Sequence, residues 1–207
     1  FYNWQFSKTI SIENKIASVI DCFAQAFESY TSNNATKESK EYSVLAISLC
    51  TSFAKNYVES NNEQSALGIM LASKYSGKAI AVAKTTGAHA LSYYLTIKHE
   101  IKHGLAVGTC LLFFIKIYMS EVETISNVEI LKSIFHSEDS PYNEVNNFFK
   151  SLGFNTKEIS EKILNEVNLN EWARQINLER LKNGPKIDTN KISSRFLVSY
   201  LNQLCND

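Results

Sequence analysis

The sequence predicts an all-α fold, in which amphipathic helices form one bundle over residues 1–207. Only 7 Gly and 2 Pro occur in 207 residues, too few for the many turns of an all-β fold. Apolar residues recur at helical spacing, and short Ser- and Asn-rich runs separate these segments. With 44% apolar and 20% charged residues, the composition is that of a folded domain with a sizeable core.

The charge balance and the cysteines narrow the class of protein further. Lys plus Arg and Asp plus Glu number 21 each, so we expect no nucleic-acid or anionic-membrane surface. The cysteines form no CxxC pair, and we interpret them as buried, reduced thiols of a cytoplasmic protein. Because the chain begins with Phe1 and shows no signal peptide, we expect a piece of a longer chain or a processed one.

Helices are predicted over 12–30, 37–58 and 63–83 in the first part of the chain. Residues 1–10 are expected to form an extended lead-in, with Ser7 or Ser11 as the cap of the first helix. Thr36 is the expected cap of the second helix. Gly77 lies inside the third helix, where it costs roughly 1 kcal/mol against Ala, and this suggests close packing of another backbone.

The second part begins with an apolar segment, 105–119, that carries a single charge. It is shorter than the roughly 20 apolar residues that a membrane span needs, so we interpret it as a buried central helix. Gly104 and Gly108 permit close contact with another helix. Polar amphipathic helices follow, the last of them capped by Thr189, and these are predicted over 122–135, 142–152, 157–167, 169–183 and 189–204.

Four side chains form a candidate metal site. Asp21 and Gln25 are four residues apart and share one helical face, which is mostly apolar around them. A buried Asp requires a cation or hydrogen-bond donors, because leaving it unpaired costs several kcal/mol or more. His89 and His103 are fourteen residues apart, and the polar run 98–102 between them is expected to bend, so that the second His returns toward the first. The four together could bind a divalent metal.

The same residues belong to a set of motifs in a fixed order. Asp21 and Gln25 precede Glu28-Ser29-Tyr30, and then come residues 32–36, the run 87–91 with His103-Gly104, and residues 179–185. From about residue 10 to about residue 201, the chain resembles the C-terminal helical metal-binding domain of iron-containing (group III) alcohol dehydrogenases, a dehydroquinate synthase-like α domain. Residues 84–96 are most similar to the branch that includes phosphonoacetaldehyde reductases.

The resemblance implies a divalent metal, Fe²⁺ or Zn²⁺, at Asp21, Gln25, His89 and His103. The family's usual ligand at position 25 is His, so Gln25 could bind weakly, leave its place to water, or accompany loss of the metal. In the family the metal polarises the alcohol or aldehyde oxygen while hydride moves to or from NAD(P)H. An N-terminal dinucleotide-binding domain holds that cofactor, and this chain contains no Gly-rich phosphate loop, so we expect that domain to be absent from it.

The expected function is therefore the helical part of an NAD(P)-dependent aldehyde reductase. Its substrate would be a small aldehyde such as phosphonoacetaldehyde, and a homodimer is one expected assembly. Two alternatives remain open, namely a metal-free helical module for assembly or binding, and a metal-dependent lyase or synthase of the same architecture. Weaker candidates for substrate or anion contacts are Lys84, Tyr93 and His99. Four lysines flank the motif and are either solvated helix ends or an anion clamp for a phosphonate or phosphate tail, namely Lys78, Lys84, Lys98 and Lys102.

Overall fold

The computed structural model describes residues 3–60, 62–121 and 127–206, and within these ranges it is helical without a strand. This confirms the prediction of an all-α fold. Two short 3-10 helices, Trp4–Thr9 and Thr189–Lys191, accompany the α-helices. The α-helices are α1 (Ile12–Thr31), α2 (Lys37–Glu59), α3 (Glu63–Ala83), α4 (Gly87–His99), α5 (His103–Met119), α6 (Ile130–Phe135), α7 (Pro141–Ser151), α8 (Thr156–Glu166), α9 (Leu169–Arg174), α10 (Leu178–Leu181) and α11 (Ser194–Asn206).

The first three helices begin where their caps predict. Ser11 accepts a hydrogen bond from the Asn14 backbone at the start of α1, and Thr36 forms a reciprocal capping box at the start of α2. The expectation of an extended lead-in is wrong, because Trp4–Thr9 is a 3-10 helix. The Asn3 side chain closes its first turn by accepting the Gln5 N–H at 3.1 Å.

The later helices are shorter than predicted. The helix predicted over 122–135 lies partly outside the described residues, and its described part is α6. The helix predicted over 169–183 is two helices, because Asn177 leaves the helical conformation and caps α10 with its side chain. Thr189 does not cap the last helix, since Asp188 caps the short 3-10 turn and α11 begins at Ser194.

Helix α5 is the centre of the bundle. Of its 17 residues 14 are buried, and α1 and α4 both pack against it. Gly104 permits this packing, because a Cβ atom there would lie 1.9 Å from the backbone oxygen of Ala17 on α1. The close approach expected at Gly77 is not found, since a Cβ atom there would meet nothing within 4 Å. No helix in the described ranges is both long and apolar enough to cross a membrane.

The sequence motifs at residues 32–36 and 179–185 contact each other. The turn after α1 joins the segment after α10, where the Asn33 N–H donates to the Asn183 carbonyl at 2.7 Å and the Ser32 hydroxyl donates to the same oxygen at 3.1 Å. The Trp172 indole on α9 donates to the Leu91 carbonyl on α4 at 2.8 Å. These bonds hold α9 and α10 beside the beginning of α4, next to the candidate site.

Candidate metal site

Helices α1, α4 and α5 each contribute one candidate ligand. Asp21, His89 and His103 offer ligand atoms that all lie within 4.8 Å of one another. The Oδ1 atom of Asp21 lies 3.2 Å from His89 Nε2 and 3.6 Å from His103 Nε2. His103 reaches this point because α4 ends at His99 and Glu100, with φ of 51°, turns the chain back into α5. The bend predicted between the two histidines is therefore present.

Glu28 holds the first histidine in place. It lies on α1 two turns after Asp21, is 2% exposed, and its Oε2 contacts His89 Nδ1. Its other oxygen accepts from the Ala88 backbone at 2.6 Å and from the Thr86 hydroxyl at 2.9 Å. Glu28 thus caps the beginning of α4 from another helix, and it turns Nε2 of His89 toward Asp21.

The carboxylates also set the charge of His89. Burial alone would lower the pKa of His89, but the Glu28 carboxylate and the hydrogen bond that His89 donates to Asp21 outweigh it and raise this pKa to about 9. Burial likewise opposes ionisation of Glu28, yet His89 and the bonds from Thr86 and Ala88 lower the pKa of Glu28 below its ordinary value. A metal ion bound at Nε2 would replace a proton there.

His103 has a different environment. Its side chain is 36% exposed, and its Nδ1 lies 3.5 Å from the Thr96 hydroxyl. Burial lowers the pKa of His103, Asp21 raises it, and the positive charges of His89 and Arg180 lower it further, so the net direction is downward. A neutral imidazole has a lone pair that can bind a metal.

Gln25 lies beside Asp21, as its spacing predicts. Its amide nitrogen donates to Asp21 Oδ2 at 2.8 Å, and its amide oxygen accepts from the Ser76 hydroxyl on α3 at 3.2 Å. The carboxylate oxygen that Gln25 contacts is not the one that faces the histidines. In this arrangement Gln25 orients Asp21, and its own oxygen would have to leave Ser76 in order to bind a metal.

The donor set fits a divalent metal. One carboxylate oxygen and two imidazole nitrogens converge, and such a set suits Fe²⁺ or Zn²⁺. The buried carboxylate behind His89 is the usual outer partner of a histidine ligand. Residues from several helices line an open cavity of about 380 Å³ here, and these are Gln25, Ile80, Lys84, Thr85, His89, Tyr93, His103, Arg180 and Asn183.

Two predicted substrate contacts line this cavity. Tyr93 lies one turn after His89 on α4, and its ring stacks on His103 with centroids 5.9 Å apart. Lys84 follows α3 and adopts a φ of +66°, a conformation that glycine adopts more readily. The cavity therefore contains an aromatic wall and a cationic side chain close to the candidate ligands.

The other predicted contacts lie elsewhere. His99 is at the far end of α4, about 15 Å along the helix from His89, and it packs on Tyr94. Lys102 pairs with Glu13 at 3.1 Å, and Lys78 lies over the Tyr42 ring. Lys98 is exposed and does not line the cavity. Of the four lysines in the predicted clamp, only Lys84 is among the described residues that line the cavity.

The sequence interpretation gave no role to Glu28 or Arg180, although both belong to the quoted motifs. The signal for Glu28 is its position seven residues after Asp21, on the same buried face of α1. No spacing rule connects Arg180 with His89 and His103, which lie 91 and 77 residues earlier in the chain, so only the fold reveals its place in the cavity. Glu28 contacts a candidate ligand from behind, and Arg180 lines the cavity beside the candidate ligands.

The chain resembles known enzymes in sequence and in structure. It is 34% identical over 95 residues to the phosphonoacetaldehyde reductase of Streptomyces viridochromogenes, a match that covers 45% of this chain and 24% of that protein. An iron-containing alcohol dehydrogenase of Thermotoga maritima superposes with a TM-score of 0.79 at 26% identity, over 97% of this chain and 52% of that one. Sulfoacetaldehyde reductase from Bifidobacterium kashiwanohense, solved with NAD⁺, shares the fold at 22% identity with a TM-score of 0.81, over 98% of this chain and 53% of that one.

The chain thus spans about half the length of the solved structures that it matches, and a quarter of the curated relative. The family described as "Fe-containing alcohol dehydrogenase family, C-terminal" matches residues 15–183. This family match does not favour the alternative of a metal-free module. Because the match covers well over half of the sequence, the chain belongs to the iron-containing alcohol dehydrogenase family, of which it contains the C-terminal helical domain.

Proposed function

We propose that this chain is the metal-binding part of an NAD(P)H-dependent aldehyde reductase. The observation that carries the proposal is the convergence of Asp21 Oδ1 with the Nε2 atoms of His89 and His103 inside an open cavity. The similarity to a phosphonoacetaldehyde reductase supports a small aldehyde, phosphonoacetaldehyde being the candidate, as the substrate. The dinucleotide would be held by a dinucleotide-binding domain of the kind that family members have.

Each residue has a role in this reaction. Asp21, His89 and His103 would hold the metal, with Gln25 either as a fourth ligand or as the residue that orients Asp21. Glu28 fixes the ring of His89 by its contact with Nδ1. Tyr93 forms a wall of the cavity against which a small substrate packs. When bound, the metal supplies Lewis acidity at the carbonyl oxygen and the nicotinamide supplies hydride to the carbonyl carbon.

The first experiment is the metal content of the anaerobically purified protein. We expect about one Fe²⁺ or Zn²⁺ per chain, and we expect Asp21→Ala and His103→Ala to lose it. His136→Ala is the matched control, because His136 is exposed and is not among the residues that line the cavity. A wild type that takes up no metal after loading would contradict the proposal.

The second experiment is NAD(P)H oxidation by the complete natural protein that carries this chain, assayed with small aldehydes. The Asp21 and His103 variants should lose activity together with their metal. Metal binding without reduction of any aldehyde would favour a lyase or synthase of the same architecture.

A further inference from the structure

We propose that Arg180 determines specificity by binding an anionic group on the tail of the aldehyde. This inference rests on the proposed function and adds a residue to it that the sequence interpretation did not consider. It starts from the position of Arg180 on α10, where its side chain lines the cavity that contains His89 and His103.

The guanidinium is held in place from two sides. One of its nitrogens, Nη1, donates to the Thr85 hydroxyl at 2.7 Å, and the group lies 5.0 Å above the centre of the Tyr93 ring. A guanidinium has five N–H donors, so a single bond to Thr85 leaves several of them for a ligand. Because the group is already anchored, binding an anion would cost it little conformational entropy.

The charge of Arg180 has no carboxylate partner within the described part of the chain. Among the residues that the structure describes, no Asp or Glu lies within ion-pair distance of Arg180. Lys84 lines the same cavity and adds a second positive charge. The carboxylate among the candidate ligands, that of Asp21, would be neutralised by a divalent metal. The cavity is therefore suited to an anion.

The geometry selects a short molecule. The Arg180 guanidinium lies over the Tyr93 ring. The Tyr93 ring in turn stacks on His103 with an interplanar angle of 15°. These two separations, 5.0 Å and 5.9 Å, place the guanidinium within about 11 Å of the ring of His103, a candidate metal ligand. A two-carbon aldehyde could place its oxygen at the ligand cluster and a phosphonate or sulfonate on its second carbon against the guanidinium. The planar fork of Arg fits such a group with two parallel hydrogen bonds.

The test uses a matched pair of substrates in the complete protein. Arg180→Gln should raise the KM for phosphonoacetaldehyde about 10- to 100-fold, the usual weight of a charge-assisted hydrogen bond, and change that for propionaldehyde less than about threefold. Arg180→Lys should recover part of the loss, because the charge remains without the fork. Arg174→Gln removes the same charge from an exposed position outside the cavity and should have no effect.

Three results would overturn the inference. They are an equal effect of Arg180→Gln on both aldehydes, a rise confined to the KM for NAD(P)H, and a wild type that prefers the neutral aldehyde. If the wild type reduces neither aldehyde, the proposed function fails, and the inference is then decided by calorimetric titration with methylphosphonate. Binding by the wild type that Arg180→Gln abolishes would support it, and no binding by the wild type would overturn it.

Discussion

The Glu28 carboxylate accepts a hydrogen bond from the backbone at the start of α4, and it also orients His89. Glu28→Gln keeps an acceptor for the Ala88 N–H but removes the charge behind the imidazole. We expect metal affinity to fall about 10- to 100-fold, as is usual for an outer partner of a histidine ligand. Competition titration with a chromophoric chelator measures this, with a circular dichroism spectrum to verify the fold. Wild-type affinity in the variant would show that Glu28 serves the fold alone.

Gln25 distinguishes this chain from the usual ligand pattern of its family. In the structure its amide orients Asp21 and is itself held by Ser76. We expect Gln25→Leu to weaken metal binding, because Asp21 Oδ2 loses its hydrogen-bond donor. A hydrogen bond with one charged partner contributes about 1.5–3 kcal/mol. Gln25→His should strengthen binding by adding an imidazole. The visible spectrum of Co²⁺-loaded protein reports ligand number, and a weaker complex with Gln25→His would show that position 25 does not reach the metal.

Lys84 combines a strained backbone with a position in the cavity. Lys84→Gly relieves a conformation in which a side chain is disfavoured, so we expect the free energy of unfolding to rise by about 1 kcal/mol. The same variant should raise the KM for an anionic aldehyde, but by less than Arg180→Gln, because an exposed ammonium contributes little. Urea unfolding and steady-state kinetics measure the two effects. A loss of both stability and neutral-aldehyde activity would indicate a structural role instead.

At the scale of elements, the contact of α5 with α1 decides whether the ligands meet. Gly104 follows His103 directly, and its approach to Ala17 sets the distance between the helices that carry His103 and Asp21. Gly104→Ala forces these backbones apart, and we expect it to cost about 1–3 kcal/mol or more of stability and to weaken metal binding. Thermal unfolding and metal titration of one sample measure both.

Gly77→Ala is the matched control for that substitution. Gly77 lies inside α3, and its surroundings leave room for a methyl group. The substitution should therefore stabilise the protein by roughly 0.5–1 kcal/mol, through the helix propensity of Ala, and leave metal binding unchanged. If both glycine variants behaved alike, the distance between α1 and α5 would not be what sets the geometry of the site.

At the scale of the whole molecule, the sequence predicted the first three helices better than the later ones. Helices α1 to α3 have side-chain caps and long apolar faces, so local signals locate their ends. Helices α9 and α10 are only 6 and 4 residues long, and Asn177, the cap that divides them, lies inside an uninterrupted amphipathic pattern. The prediction of a single helix there was wrong because periodicity alone does not reveal such a break.

The sequence predicted the candidate ligands of the site, but it did not predict the residues that surround them. The positions of Asp21, His89 and His103 follow from motifs, and the structure brings them together. The role of Glu28 requires the orientation of α1 toward the beginning of α4. The place of Arg180 depends on the bonds that tie the segment after α10 to Asn33. The positions of Glu28 and Arg180 in the site therefore depend on tertiary contacts between segments far apart in the sequence, and no local spacing reveals such contacts.

A metal at this site would join three helices that are otherwise held by packing and by the hydrogen bonds of Glu28. Because Asp21, His89 and His103 belong to α1, α4 and α5, loss of the folded bundle would also destroy the site, and metal binding should stabilise the molecule as a whole. We expect Zn²⁺ at about 100 times its dissociation constant to add about 2.7 kcal/mol, and EDTA to remove this gain. Differential scanning calorimetry measures the shift in Tm, with Asp21→Ala as the variant that should show none. An equal shift in wild type and variant would mean that the metal stabilises the protein from some other position, and the arrangement of the three helices would then depend on packing and on the contacts of Glu28 with α4.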